Sequence, residues 1–254
     1  MIDQKLKETL DREVEKYNRP EFIDSDPISI PHSFSAIEDI EISAFLISTI
    51  AWGNRRMILS SAHKMIERMD GAPASFVMSA SPQELAALDG FVHRTFNAFD
   101  LQYFVLALRR MCTKYGSMGE FWQSDYLQTG DLRMTIANFR REFLAAEYLP
   151  RTSRHVSNIE RGSACKRLVM MLRWLVRVDN CGVDFGLWRA IPPGALYIPL
   201  DVHAARQGRQ NGLLTRKQDD WRAVEELTAA LRAFDEADPA RYDFALFGLG
   251  VNQK

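Results

Sequence analysis

Apolar residues recur three and four positions apart along most of the chain, whereas the alternation that marks strands is scarce, so the sequence commits to helices. In "LQYFVLALRRMCTKYG", Leu101, Phe104, Val105 and Leu108 share one face, and Gly116 is placed to end the helix. "DDWRAVEELTAALRAFD" sets Trp221, Val224, Leu227 and Leu231 on a stripe with Asp219 or Asp220 as cap. "SPQELAAL" opens with Ser81, Pro82 and Glu84, a serine cap, a first-turn proline and a reciprocal glutamate. "SAIEDIEISAFLISTIAW" carries Ser35 and Glu38 at capping-box spacing, followed by Ile42, Ala44, Phe45, Leu46, Ile47 and Ile50, which predict a largely buried helix. "DPARYDFALFGLG" repeats the cap-then-proline opening with Asp238 and Pro239. Together these predict an all-α fold of many medium helices, arranged as two helical lobes rather than one bundle.

Three irregular segments interrupt the helices: "YNRPEFIDSDPISIPHSF", "AAEYLPRTSRHVSNIERGS", which is placed to join two lobes, and "NCGVDFGLWRAIPPGALYIP". With 254 residues, 46% of them hydrophobic, the chain is long enough to bury a core unaided. No apolar run reaches the ~18 residues of a membrane span, and the N-terminal stretch is charged from its third residue. The expectation is a cytoplasmic protein without a membrane partner. Cys112, Cys165 and Cys181 form no CxxC pair, which argues against a disulfide framework or structural zinc. His32, His63, His93 and His155 lack metal spacing and read as structural or surface residues, so no metal site is expected. Asp184-Phe185-Gly186 has no accompanying kinase motif and reads as chance. Trp174 and Trp188 read as core anchors, although Trp188 falls in an insert that looks exposed.

The formal net charge is −1, yet residues 151 to 177 hold Arg151, Arg154, Arg161, Lys166, Arg167, Arg173 and Arg177 against the single acid Glu160, a local charge of +6. Such a stretch is either a helix face paired with acids elsewhere or a polyanion-binding surface. Downstream, "IPLDVHAARQGRQNGLL" places Asp201 at the cap of a helix that Asn211-Gly212 should end. The helix dipole and free backbone amides favour an ionised carboxylate there. Upstream, in "IERGSACKRLVMMLRWLVR", Gly162 and Ser163 form a turn and Lys166 falls in the first turn of an apolar helix. Local chemistry leaves two readings open. Asp201 is a structural cap and Lys166 a surface lysine, or Lys166 is an amine prepared as a nucleophile by neighbouring cations and partial desolvation.

"GSACK" followed by "IPLDVH" resembles the helix-hairpin-helix DNA glycosylase superfamily, in its 8-oxoguanine and endonuclease III branches, whose hairpin lysine is followed by an aspartate segment. Gly162 matches the first hairpin glycine, Lys166 the catalytic lysine, and Asp201, Val202 and His203 the aspartate segment. "AFLISTIAWGNRRMILSSAHKMI" is similar to the early helix pair that helps form the base pocket, which implies that Trp52, Asn54 and Arg55 lie near substrate. The C-terminal "DFALFGLGV" is similar to that of an uncharacterised bacterial family. Two departures stand out. Ala164 replaces the second hairpin glycine, and its methyl hinders approach of backbone amides to a phosphate. The 35 positions from Lys166 to Asp201 exceed the family's usual interval.

The resemblance implies a glycosylase-like unit over residues 1–254, with a central helical lobe near 36–160, the hairpin and its helix near 161–178, and a second lobe from 1–35 plus 198–254. It implies double-stranded DNA with a damaged base as partner, an oxidised base such as 8-oxoguanine flipped into a pocket, attack by Lys166 and electrostatic support from Asp201. AP lyase chemistry through a Schiff base can follow. Arg161, Gly162, Ser163, Ala164, Arg167 and His203 are the implied DNA contacts. No organic cofactor is implied, and the four-cysteine iron–sulfur motif is missing from the sequence. The hairpin of such proteins often holds a monovalent cation through backbone carbonyls. The competing expectations are a non-catalytic nucleic-acid-binding protein on the same scaffold and a helical protein-interaction domain.

Overall fold

A computed structural model describes residues 3–251. In chain order it contains α1 (Gln4–Tyr17), α2 (Ile37–Ile50), α3 (Arg55–Glu67), α4 (Pro73–Ser79), α5 (Pro82–Ala86), a two-residue antiparallel pair β1 (Val92–His93) and β2 (Phe96–Asn97), α6 (Ala98–Tyr115), α7 (Met118–Thr129), α8 (Leu132–Phe143), α9 (Lys166–Val176), α10 (Val202–Gln210), α11 (Trp221–Arg232) and α12 (Tyr242–Val251). The protein is all-α, as the periodicity requires. Short 3-10 turns link several of the helices.

Local punctuation acts largely as read. Ser81 Oγ accepts the Glu84 amide at 3.3 Å while Glu84 Oε2 accepts the Ser81 amide at 2.7 Å, completing the box that starts α5. Gly116, at φ +94°, stops α6, and Asp220 caps α11. Ser35 behaves otherwise. The N-cap of α2 is Ala36, so Ser35 lies one residue too early to meet the amide that its spacing to Glu38 promised. Asp39 in the first turn accepts the Ala74 amide at 2.9 Å instead, at the start of α4.

The chain divides into two compact units. One comprises Asp24–Gly130 and Met134–Ser157. Its centre is α2, buried from Ile40 through Ile50 on every side, as expected of a helix apolar all round. Phe45 stacks on Phe104 at 5.6 Å between centroids and meets Phe139 and Phe143 edge-on at 5.4 and 5.2 Å. Buried Glu41 accepts the Gly119 amide at 3.1 Å, in the first turn of α7. Buried Asp100 accepts Arg151 Nη2 at 3.0 Å and Thr152 Oγ1 at 2.7 Å, and His155 Nε2 lies 3.3 Å away, which fastens the 3-10 turn Thr152–His155 to the start of α6.

The other unit comprises the described parts of Met1–Ile23 and Asn158–Lys254, with Asp131–Arg133. Here α9 is buried from Leu168 to Val176, and that stretch includes Arg173. Arg173 Nε reaches Asp184 Oδ1 at 3.2 Å, and Arg177 Nη1, one turn on, reaches Asp184 Oδ2 at 2.9 Å. Arg173 also pairs with Asp243, and Arg177 with Asp238 and Asp179, while Asn18 donates to Asp179 at 2.7 Å. Both guanidiniums lie over the Phe244 ring, at 4.5 and 5.5 Å from its centroid. Burial opposes the charge of Arg177, but Asp184, Asp238 and Asp179 outweigh it and hold the group protonated. The insert around Asp184 is therefore packed rather than exposed, with Val183, Trp188, Ile191 and Leu196 buried.

Gly248 lets α12 lie against α1. A Cβ there would fall 2.3 Å from Tyr17 Cε2, closer than any side chain tolerates. Asp184 is the shared anion of the network, so Asp184→Ala takes one carboxylate from each of two buried guanidiniums. The expected loss is about 3–5 kcal/mol of unfolding free energy, read by urea denaturation. A loss below about 1 kcal/mol would show that the network is solvated.

Candidate functional site

The turn Asn158–Cys165 is built from its own backbone. Asn158 Oδ1 accepts the Arg161 amide at 3.2 Å, and the Asn158 carbonyl accepts the Ser163 amide at 3.1 Å. Gly162 sits at φ +80° with open space where a Cβ would lie, so conformation rather than crowding calls for glycine. Its carbonyl accepts the Trp221 amide at 2.9 Å, and Ser163 forms a single antiparallel bridge with Asp220, tying the turn to the start of α11. Cys165, at φ +49°, is the N-cap of α9 and carries no carboxylate, amide or hydroxyl with which to cap it. The carbonyls of Asn158, Ile159 and Gly162 each accept a backbone amide.

Lys166 is the first residue of α9 and is half-buried. Arg161 is exposed, whereas Ser163, Ala164 and Arg167 are half-buried. Burial pulls the Arg167 guanidinium down to about 10, with Cys165 opposing. The basic stretch as a whole is less open than its charge suggests. Of its seven cations, Arg151, Arg173 and Arg177 are engaged with Asp100, Asp184, Asp243, Asp238 and Asp179.

The segment before α10 is held in the core by buried Ile198, Pro199 and Leu200, and the Ile198 amide donates to Thr228 Oγ1 at 3.1 Å. The chain emerges at Asp201, half-buried at the N-cap of α10, whose Oδ1 accepts the amides of His203 and Ala204, both at 2.9 Å. His203 itself is exposed, and its Cβ would lie 3.9 Å from a Cβ added to Gly250 of α12. Thus the beginning of α10 rests against α12.

Asp243, in the first turn of α12, feels the charges of both predicted residues. It pairs with Arg173, which lies two turns beyond Lys166 on α9 and so on the same face. Burial lifts the Asp243 carboxyl to about 6; Arg173 opposes this, the Asp201 carboxylate adds to it and the Lys166 ammonium opposes it. Lys166 and Asp201, 35 residues apart in sequence, therefore act on one carboxylate. Sequence reasoning missed Asp243. The available signal was an acid opening the otherwise apolar run "DFALFGLG".

Trp52, Asn54 and Arg55 belong to the Asp24–Gly130 unit. Trp52 is half-buried between two histidines, edge-on to His93 at 4.9 Å and stacked on His155 at 6.1 Å. Asn54 caps α3 and Arg55 lies 3.6 Å from Asp26. His93 is buried beside Ser61 Oγ at 2.9 Å and the Trp52 carbonyl at 3.3 Å.

Fold and site define a helical protein with a lysine and two aspartates on three helices of one unit. The chain belongs to the family described as "Protein of unknown function (DUF2400)", whose model matches residues 26–252. No curated protein and no solved structure matches it. Among the described residues, no helix is long and apolar enough to cross a membrane.

Two outcomes follow from these surroundings. Asp201→Ala should cost about 1 kcal/mol through the lost cap, whereas Asp201→Asn, which caps almost as well, should leave denaturant stability nearly unchanged. Equal losses would assign Asp201 a charge-based structural role. Burial lowers the His93 pKa, the Trp52 carbonyl opposing, so its stabilising neutral form is complete above the ordinary histidine range and is lost as pH falls below it. Thermal unfolding between pH 7.5 and 5.5 should show that decline in the parent protein and a smaller one in His93→Gln; identical declines would refute the assignment.

Proposed function

We propose that this protein is a DNA glycosylase of base excision repair, a cytoplasmic enzyme of the helix-hairpin-helix type that removes an oxidised, 8-oxoguanine-like base from double-stranded DNA. The observation that carries this reading is the convergence of the Lys166 and Asp201 charges on Asp243. A half-buried amine at the start of α9 suits nucleophilic attack on a sugar carbon once it has lost its proton. The target nucleotide leaves the stack, Lys166 attacks its anomeric carbon, and Asp201 stabilises the cationic sugar of the transition state. A Schiff base then permits AP lyase strand cleavage. The turn at Gly162, Ser163 and Ala164, the start of α9, exposed Arg161 and exposed His203 supply the DNA-backbone contacts, with Arg167 supporting the turn from its more buried place.

Borohydride should trap a covalent adduct between the protein and duplex DNA carrying 8-oxoguanine or an abasic site, and Lys166→Gln should abolish it. Asp201→Asn should slow adduct formation by roughly 10²–10³-fold without unfolding the protein. Neither adduct nor base release across oxidised, alkylated and abasic substrates would refute the reading. Ala164 and the internally paired arginines favour a second reading, a non-catalytic nucleic-acid-binding protein, which predicts salt-sensitive binding that survives Lys166→Gln.

A further inference from the structure

We propose that Ser61 and His93 form a second reactive centre, a nucleophile and its general base, which hydrolyses a small carboxylic ester. Both belong to the unit that contains Asp24–Gly130, and the centre is independent of the glycosylase reading. Ser61 Oγ stands 2.9 Å from His93 Nδ1, and His93 Nε2 stands 3.3 Å from the Trp52 carbonyl. A carbonyl oxygen can only accept, so Nε2 carries the ring proton. Nδ1 is then the bare nitrogen, and the Ser61 hydroxyl donates to it. The bond already points the way the proton travels when a serine is activated, and a third group orients the base.

Ser61 departs from the habit of helical serines in this chain. Ser43, Ser48, Ser79 and Ser124 each return the hydroxyl to a carbonyl three or four residues back in their own helix. Ser61, on α3, instead reaches out of its helix to a histidine 32 positions on. Access differs between the partners as the chemistry requires: Ser61 is half-buried, whereas His93 is 2% exposed. Trp52 meets the imidazole edge-on at 4.9 Å and helps to fix its plane. Burial keeps His93 neutral, with the Trp52 carbonyl opposing and Arg94 adding to the effect, so Nδ1 is free to act as a base at neutral pH. The hairpin also supplies a cation. Arg94, at φ +56°, takes the left-handed turn position between β1 and β2 that glycine would hold without strain. A Cβ on Gly53 would fall 2.5 Å from Arg94 Nη1, so the guanidinium lies across the residue that follows Trp52. Arg94 is exposed and makes no ion pair among the described residues, which leaves it available to an anionic group on the substrate.

The orienting group sets the reaction class. Behind His93 stands a carbonyl dipole rather than a carboxylate, so the imidazolium formed on proton transfer is supported less than in a serine–histidine–aspartate triad. Such a base suits an ester, whose alkoxide leaves readily, better than an amide. In the first half of the reaction the Ser61 proton passes to Nδ1 as Oγ bonds to the acyl carbon. The acyl C–O bond then breaks, and the departing alkoxide takes the proton from Nδ1 and leaves as an alcohol. In the second half a water gives a proton to Nδ1 while its oxygen bonds to the acyl carbon. The bond to Oγ breaks, the proton returns to Oγ, and the carboxylic acid is released. Ser61 and His93 are the catalytic residues, and Trp52 is a positioning residue.

Two measurements on the whole chain test the proposal. In the first, the protein is treated with an alkyl fluorophosphonate, which reacts with activated serines, and digested for peptide mass spectrometry. The adduct should sit on Ser61, form about a hundredfold more slowly in His93→Gln, which has no base, and be absent from urea-unfolded protein. His63→Ala, which removes an exposed histidine two positions further along α3, should leave the labelling rate unchanged. The second follows p-nitrophenol release from p-nitrophenyl acetate and from the anionic mono-p-nitrophenyl succinate. Release should be faster than with unfolded protein and should be lost in Ser61→Ala, and Arg94→Gln should narrow a preference for the succinate severalfold. Parent protein in which Ser61 is unlabelled, or labelled no faster than when unfolded, overturns the proposal, and this result needs no variant should His93→Gln fail to fold. Labelling that is indifferent to His93→Gln, or ester turnover that survives Ser61→Ala, overturns it too. A succinate preference that Arg94→Gln leaves intact refutes the role given to Arg94. Failure to trap DNA removes the glycosylase reading and leaves Ser61 labelling to be judged on its own.

Discussion

Arg173 and Arg177 leave α9 one turn apart, inside the core, and share the carboxylate of Asp184. Each guanidinium taken from water costs several kcal/mol, and that cost is recovered only if its donors are met by well-placed acceptors. Asp179, Asp184, Asp238 and Asp243 meet them. Those acids come from the segment after α9, the turn before α12 and α12 itself, and Asn18 beyond α1 joins through Asp179. Parts of the chain far apart in sequence are thus fixed to α9 by directional bonds rather than by apolar contact alone. Removing the network would leave α12 held by aromatic contacts of Phe244 and Phe247 with Phe22 and Tyr17, by Tyr242 on Asp11 and by its contact with the start of α10.

The same network prepares the candidate site. Four carboxylates surround two guanidiniums, so negative charge is in excess, and the acids at its edge are held in a medium that penalises it. Burial raises both Asp238 and Asp243, Arg177 and Arg173 respectively opposing. Asp243 differs in facing the α9 start and the α10 cap, where Lys166 and Asp201 stand. The ion network and the charges of Lys166 and Asp201 all bear on this single carboxylate.

Helical architecture was legible because periodicity and caps are local signals, and Ser81, Gly116, Asp201 and Asp220 act where local chemistry placed them. Ser35 failed because a cap motif specifies spacing but not which residue starts the helix. Trp188 is the core anchor that its residue type suggests, although the insert around it looks exposed in sequence, and Asp184 is buried as well, because tertiary partners decide the fate of an irregular segment. Of the two readings of the basic stretch, pairing with acids from elsewhere in the chain holds for Arg151, Arg173 and Arg177. Asp243 carried only a faint signal, an acid opening an apolar helix, and its importance comes from neighbours 70 and more residues upstream or supplied by α10.

The account stands on the convergence of Lys166 and Asp201 at Asp243. Carboxyl-carbon NMR of Asp243 as a function of pH tests it most directly. The account predicts a midpoint near 6, displaced upward in Lys166→Met, which removes a positive neighbour, and downward in Asp201→Asn, which removes a negative one. A midpoint in the ordinary aspartate range, or one that neither substitution moves, would contradict it.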